Sequence, residues 1–251
     1  MGVQTPSIVA AGYVVDAADF DGTNDYMTRG ADLTGNADGK VGLLSFWVRL
    51  DGGDGATLDV INNGTGLTQG GIRCSRNTAN VFTVVGRNAA GTARLQLSSN
   101  TTTAADAAWR HLLISWDMTD TAKRHFYLND ASVLSVVTYT DDTLDYTKTD
   151  FAVGGGTGGA QKMNGCLAEV YFNPAVYMDL SVEANRRKFI SATGKPVSLG
   201  SDGSTPTGTA PILYQRVADG AAASTFATNL GSGGNFTITG SLDVASTSPS
   251  D

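Results

Sequence analysis

Strict two-residue alternation of apolar and polar side chains constrains this chain more than any other feature. In Ser45–Leu50, Phe46, Val48 and Leu50 share one face, while Trp47 and Arg49 share the other. In Arg110–Trp116, Leu112, Ile114 and Trp116 align opposite His111, Leu113 and Ser115. The same count places Cys166, Ala168, Val170 and Phe172 together, with Leu167, Glu169 and Tyr171 on the reverse face. Val81–Val85 and Ala93–Leu97 read as further strands around an Asn88-Ala-Ala-Gly91 turn, and Asn129-Asp130 reads as a hairpin tip. Short strands at this spacing, without βαβ alternation, predict an all-β protein: a two-sheet antiparallel sandwich.

One short helix is expected near residues 181–193. Ser181 is placed to cap its start, Glu183 lies in the first turn, and Gly194 is placed to end it. Val182, Arg186, Phe189 and Ile190 form its expected packed side. Beyond Lys195, Ser, Thr, Gly, Ala and Pro dominate, with Pro211–Arg216 and Asn235–Ile238 as the two strand-like stretches. That segment is too poor in apolar residues for a core of its own. The chain therefore divides into a sandwich over 1–195 and an irregular extension over 196–251, which packs on the sandwich or on a neighbouring subunit. Ser246–Asp251 is expected to fray.

Charge narrows the function classes. A net charge of −7 with scattered Lys and Arg speaks against nucleic-acid binding. Arg186-Arg187-Lys188 falls late in the expected helix, where cations complement the helix dipole. Ile8–Val15 is too short to span a bilayer, so no membrane role is expected and the chain is read as made and kept soluble in a cytoplasm. Only 16% of residues are charged, which points to subunit contacts covering part of the surface. Cys74 and Cys166 have no zinc-ligand spacing; buried thiols are expected, with a pairing between the two left open.

Catalytic signatures are sparse. Of the 24 acidic residues, 22 are Asp, the residue of turns and caps, and Glu169 and Glu183 are the two Glu. Glycoside hydrolysis needs two carboxyl groups flanking the bond, and no neighbour of Glu169 along its strand face supplies a second. There is no Gly-x-Ser-x-Gly elbow, and His111 and His125 lie in strand patterns as surface or interface residues. Gly154–Gly159 lacks the Gly-Lys-Ser/Thr of a phosphate loop. Trp47, Tyr127, Tyr139 and Tyr146 are the candidate exposed aromatics; such rings stack on sugars and also anchor protein interfaces. Trp47, Arg49 and Tyr127 form the candidate ligand-binding set, and Trp109 and Trp116 are assigned to strand ends and core.

Several segments taken together carry a resemblance. Phe20-Asp-Gly-Thr-Asn-Asp-Tyr26, Leu44-Ser-Phe-Trp-Val-Arg-Leu50, Trp109-Arg-His-Leu-Leu-Ile-Ser-Trp116, Tyr127-Leu-Asn-Asp130 and Asn164-Gly-Cys-Leu-Ala-Glu-Val-Tyr-Phe172 occur in an order that resembles the laminin-G-like, concanavalin-A-like jelly-roll family over residues 15–195. The resemblance implies a jelly roll, a Gly-Gly turn at 154–159 before the penultimate strand, and a short helix after the Glu169 strand. Jelly-roll glucanases carry a Glu-x-Asp-x-x-Glu run or similar, which is missing here, so the chain is read as no enzyme. Many relatives bind calcium at a loop rim, which implies Asp21, Asn24 and Asp25 as the candidate ligands, with Asp51/Asp54 and Asp141/Asp142/Asp145 as further clusters; no cofactor is required.

The typical C-terminal disulfide of extracellular laminin-G domains is missing, and Cys-Leu-Ala precedes Glu169. These departures make the chain resemble the microbial or viral branch, which includes accessory proteins of tailed-phage virions. The expected function is thus a virion protein assembled in the host cytoplasm, as a head decoration, head fibre or tail-fibre component. It would form homo-oligomers, dock to capsid or tail proteins, and present loops for a host glycan. The alternative is a soluble or secreted lectin-like carbohydrate-binding module, ahead of a glycoside hydrolase.

Overall fold

The computed structural model describes residues 12–64, 71–148 and 150–251. In chain order the strands begin with β1 Val15–Asp16, β2 Ala18–Asp21, β3 Tyr26–Thr28, β4 Val41–Leu50, β5 Leu58–Asn63 and β6 Gly71–Arg76. They continue as β7 Phe82–Arg87, β8 Ala93–Ser99, β9 Trp109–Asp117, β10 Arg124–Leu128, β11 Ala131–Ser132 and β12 Leu134–Tyr139. The rest are β13 Phe151–Val153, β14 Asn164–Asn173, β15 Leu213–Gln215, β16 Val217–Ala218, β17 Thr237–Thr239 and β18 Asp243–Val244.

Two antiparallel sheets face each other as a jelly-roll sandwich. The first runs β11-β10-β9-β4-β14-β2-β18, and β15 pairs with the half of β14 that β2 leaves free. The second runs β12-β8-β7-β6-β5-β13-β3-β17. Phe46, Val48, Leu112, Ile114 and Trp116 from the first sheet meet Ile72, Cys74, Val84, Leu95 and Leu97 from the second in one buried core. The alternation in β4 and β9 thus assigns core and outer faces as expected. Gly42 sits where β4 passes the Trp116 indole; a Cβ there would clash with the ring.

In β14 the expected phase holds only as far as Ala168. A bulge between Ala168 and Tyr171 shifts the register against β4, and Glu169 takes a left-handed backbone with φ 51°. Val170 and Phe172 join the core, whereas Cys166, Ala168 and Tyr171 face outward. A non-glycine residue in that conformation costs about 1–3 kcal/mol, which its surroundings must offset.

The outer face of the first sheet is itself covered. Leu43, Leu113, Tyr171 and Tyr214 bury against Met178, Leu180, Phe189 and Leu199. Trp47, Cys166 and Ala168 bury beside Ala17 and Ile190. The helix within this cover is one turn, α1 Glu183–Arg186, shorter than expected. Ser181 does not cap it: the Ser181 amide and hydroxyl both donate to Asp179 Oδ1, at 2.9 and 2.6 Å, leaving Val182 at the cap position. Val182 is exposed, while Phe189 and Ile190 pack inward.

Residues 196–251 are more regular than their composition predicts. They add β15 to β14, β17 to β3, β18 to β2 and β16 to β1. Leu213, Val217, Phe226 and Phe236 enter the main core. Instead of fraying, the end of the chain packs down, with Ser248 and Pro249 buried. Cys74 lies in the core and Cys166 on the outer face, both as free thiols.

Candidate functional site

The outer face of β4 and β9 forms the floor of a cleft of about 430 Å³. Cross-strand pairing sets Trp47 opposite His111 and Arg49 opposite Trp109. Trp47, one of the candidate exposed aromatics, is only 3% exposed because the cover segment and His111 close over it. The two rings lie 4.7 Å apart at 33°. His111 is buried too, not at the surface as expected, and its Nε2 lies 2.8 Å from Ser45 Oγ. Burial holds the imidazole down to about 3, with Asp130 pulling weakly the other way, so the ring is neutral across physiological pH.

Trp109 is the half-exposed aromatic of the floor. Its Nε1–H donates to Thr247 Oγ1 at 3.1 Å, and the Arg49 guanidinium carbon sits 5.9 Å from the ring centroid. Arg49 also donates to Thr247 Oγ1 at 2.7 Å and forks onto Asp51 at 2.8 and 3.0 Å. Asp51 leads the causes that raise Arg49, so the guanidinium stays charged behind the platform.

Three segments wall the cleft. The hairpin tip supplies Asn129 and Asp130, both with left-handed backbones at φ 47° and 66°. Asn129 Oδ1 accepts the His111 amide at 2.8 Å. Asp130 receives Arg186 and, at 2.7 Å, Arg187; against the upward push of partial burial, these hold its carboxyl below the usual range. The turn 190–195 supplies Ser191 and Lys195, with Ser191 Oγ accepting the Lys195 amide at 2.9 Å. Among the described residues the Lys195 ammonium has no carboxylate partner. The chain end supplies Ser248, Pro249 and Asp251.

Of the expected ligand set, Trp47 lies in the cleft floor and Arg49 behind Trp109. Tyr127 stands outside, half-buried, with the Arg186 guanidinium 4.8 Å over its ring. Tyr146, expected to be exposed, is a core residue: its hydroxyl accepts Trp116 Nε1–H and donates to the Val41 carbonyl, both at 2.9 Å. Tyr139 is half-buried and hydrogen-bonded to the Asp117 carbonyl. Trp109, Asn129, Asp130 and Lys195 were missed as site residues. The alternation that put Trp47 and Arg49 on one face puts Trp109 and His111 on that face as well, once β4 and β9 are neighbours.

The residues proposed for calcium do not fit a hard cation. Asp21 Oδ1 accepts the amides of Thr23, Asn24 and Asp25 at 2.7, 3.0 and 3.3 Å, led by the Asn24 and Thr23 bonds that pull its carboxyl down. Asp25 is buried and accepts the Asp21 and Ser241 amides. These oxygens cap a turn rather than converge on a centre. Asp54 pairs with the buried Arg76, Asp141 with Lys40, Asp142 with Arg94 and Asp145 with Lys148. Asp19, Asp51 and Cys166 do meet, within 4.8 Å, but the thiol is buried and Asp51 is already engaged by the Arg49 fork.

Residues 21–176 match the family described as the Concanavalin A-like lectin/glucanases superfamily. Comparison with curated proteins returned no match. Among solved structures, a proposed carbohydrate-binding protein from Bacteroides ovatus superposes with a TM-score of 0.61 at 15% identity, covering 93% of this chain. This chain spans 60% of that protein's length. A heptameric SAP-like pentraxin from Limulus polyphemus superposes at TM-score 0.48 and 10% identity, over 66% of this chain and 78% of its own. Domains LG4-5 of the mouse laminin alpha1 chain superpose at 0.43 and 15%, over 67% and 44%.

Proposed function

Because the chain belongs to the concanavalin A-like lectin/glucanase superfamily, we propose that it is a non-catalytic glycan-binding module whose site is the cleft over Trp109 and Trp47. One observation carries this reading. A half-exposed indole, locked by Thr247 on its edge and Arg49 on its face, sits in a cleft rimmed by Asn129, Ser191 and Lys195. Ligand sites combine an apolar, aromatic surface with a few placed polar groups in this way. A pyranose offers the matching surface, with an apolar face of C–H bonds and a rim of hydroxyls.

The cleft chemistry favours binding over cleavage. Glycoside hydrolysis requires one carboxyl kept protonated near neutrality. Asp130 is pinned as a carboxylate by two arginines, and Asp251 accepts the Ser248 amide at 2.7 Å. A glycan microarray, followed by calorimetry on each hit, tests the reading. Binding by the parent chain that Trp109→Ala weakens at least tenfold supports it. A silent array, or equal affinity of parent and variant, overturns it.

We further propose, on the sequence resemblance, that this binding serves a tailed-phage particle, with this chain as an oligomeric head decoration or fibre, or a tail-fibre component. The low charge and the exposed Val136 and Val137 on edge strand β12 support subunit contacts. Mass spectrometry of purified particles tests it. Tens to hundreds of copies per particle would support a virion role, and a protein found only free would refute it.

A further inference from the structure

The bulge residue Glu169 lies at the meeting point of three chain segments. Its Oε1 accepts the Tyr13 hydroxyl at 2.6 Å, and its Oε2 accepts the Tyr214 hydroxyl at 2.9 Å. Arg216 Nη1 donates to the Tyr13 oxygen at 2.8 Å. Tyr13 opens the N-terminal arm, residues 12–17, whose sheet contact is the two-residue pairing of β1 with β16. That arm in turn holds the chain end: Ser250 Oγ accepts the Val15 amide at 3.0 Å, and the Ala245 amide donates to the Ala17 carbonyl at 3.0 Å. The chain end carries Ser248, Pro249 and Asp251, one wall of the cleft. Glu169, arm, tail and cleft form one contiguous series of contacts.

We propose that Glu169 is the release point of a proton-linked latch, in which ionisation of its carboxyl group loosens the arm and, through it, the tail wall of the cleft. The groups facing Glu169 are Tyr13 from the arm, Tyr214 on β15 and Arg216 between β15 and β16. Across the bulge β4 presents Ser45 and Trp47, which do not titrate in this range. Asp16, on β1, is engaged with the Gly220 amide at 2.8 Å. The single cation therefore reaches the carboxylate through a phenol, and a charge formed there is under-compensated in a dry site. Burial, opposed by the two tyrosine hydrogen bonds and Arg216, raises the carboxyl to about 7, which puts the transition near neutrality. The described arm is tied to the sheet through the two-residue β1–β16 pairing, and it is the segment next to Glu169 that hydration would displace.

Hydrogen exchange of the whole protein, corrected for intrinsic rates, tests this at pH 6 and pH 8.5. Peptides covering 12–17 and 245–251 should exchange on the order of tenfold faster at the higher pH. Glu169→Gln, uncharged at both values, should remove that difference. Tyr13→Phe, which keeps the carboxyl but cuts the tether, should expose both segments at both pH values. Equal protection of the parent at the two pH values overturns the latch. So does an unchanged pH response in Glu169→Gln, or parent-like protection in Tyr13→Phe. The consequence for ligand rests on the glycan reading above, but the exchange readout does not. If both segments open while a glycan's affinity stays constant with pH, the cleft assignment fails and the latch stands.

Discussion

Trp109 and Thr247, 138 residues apart, are joined by a 3.1 Å hydrogen bond from the indole Nε1–H to the threonine hydroxyl. The same hydroxyl accepts Arg49 Nη1–H at 2.7 Å, so one side chain near the chain end fixes both the edge and the backing of the aromatic platform. The platform's orientation is therefore a property of the C-terminal segment as much as of β9.

Thr247→Val removes the shared acceptor at nearly constant volume. It should weaken glycan binding several-fold with little change in melting temperature, whereas Trp109→Ala should cost about 2 kcal/mol of binding, roughly thirtyfold. Calorimetry on both variants checks this. Equal, small effects from the two would show that Trp109 is not the platform.

Gly42→Ala tests the packing of the two sheets. The added methyl would meet the Trp116 indole, whose Nε1 is itself held by Tyr146, so the ring has no free direction in which to move. Overpacking of this kind costs about 1–3 kcal/mol. Urea unfolding should show that loss without a change in slope; undiminished stability would mean that the ring relocates freely.

How much of this was legible in the sequence depends on where the deciding contacts lie. Strands β4 and β9 carry their facing in their own alternation, and it reads correctly from Phe46 to Trp116. The bulge at Glu169 reverses the phase of β14, and nothing local announces it, because a left-handed Glu is held by Tyr13 and Tyr214 from distant segments. The alternation left Trp47 a candidate for either exposure or burial, because the cover over its strand face comes from Ile190 and residues beyond the strand. The helix at 181 lost its cap to Asp179, a local competitor two residues upstream. The cleft was half visible: its floor lies in alternating strands, and its walls come from a turn and a tail without periodicity.

Calcium should leave the protein unaffected. Asp21 Oδ1 and both Asp25 oxygens are committed to backbone amides, and a cation drawing on them would have to displace those bonds. Melting temperatures with millimolar calcium and with chelator should coincide. A site filled to about a hundred times its Kd would add roughly 2.7 kcal/mol, so a clear rise in melting temperature would refute the turn-capping role assigned here.

Global stability should carry the signature of Glu169 with a definite sign. The carboxyl titrates near 4.5 when unfolded and at about 7 when folded, so the native state binds the proton more tightly. Its contribution is fully present below pH 4.5 and is lost as pH rises to and through about 7, by on the order of 3 kcal/mol. Surface carboxyls such as Asp106, held down to about 2 chiefly by its Arg110 hydrogen bond, act in the opposite sense, losing stability as pH falls through the acid range. The two trends overlap little, because the Asp106 window closes near its ordinary value while the Glu169 window opens there. Urea titrations of the parent chain should accordingly show stability declining between pH 5 and 8, and Glu169→Gln should flatten that decline while leaving the acid limb intact. A parent profile that is level from pH 5 to 8 would mean that the carboxylate is better solvated, or better paired, than its place beneath Tyr13 and Tyr214 indicates.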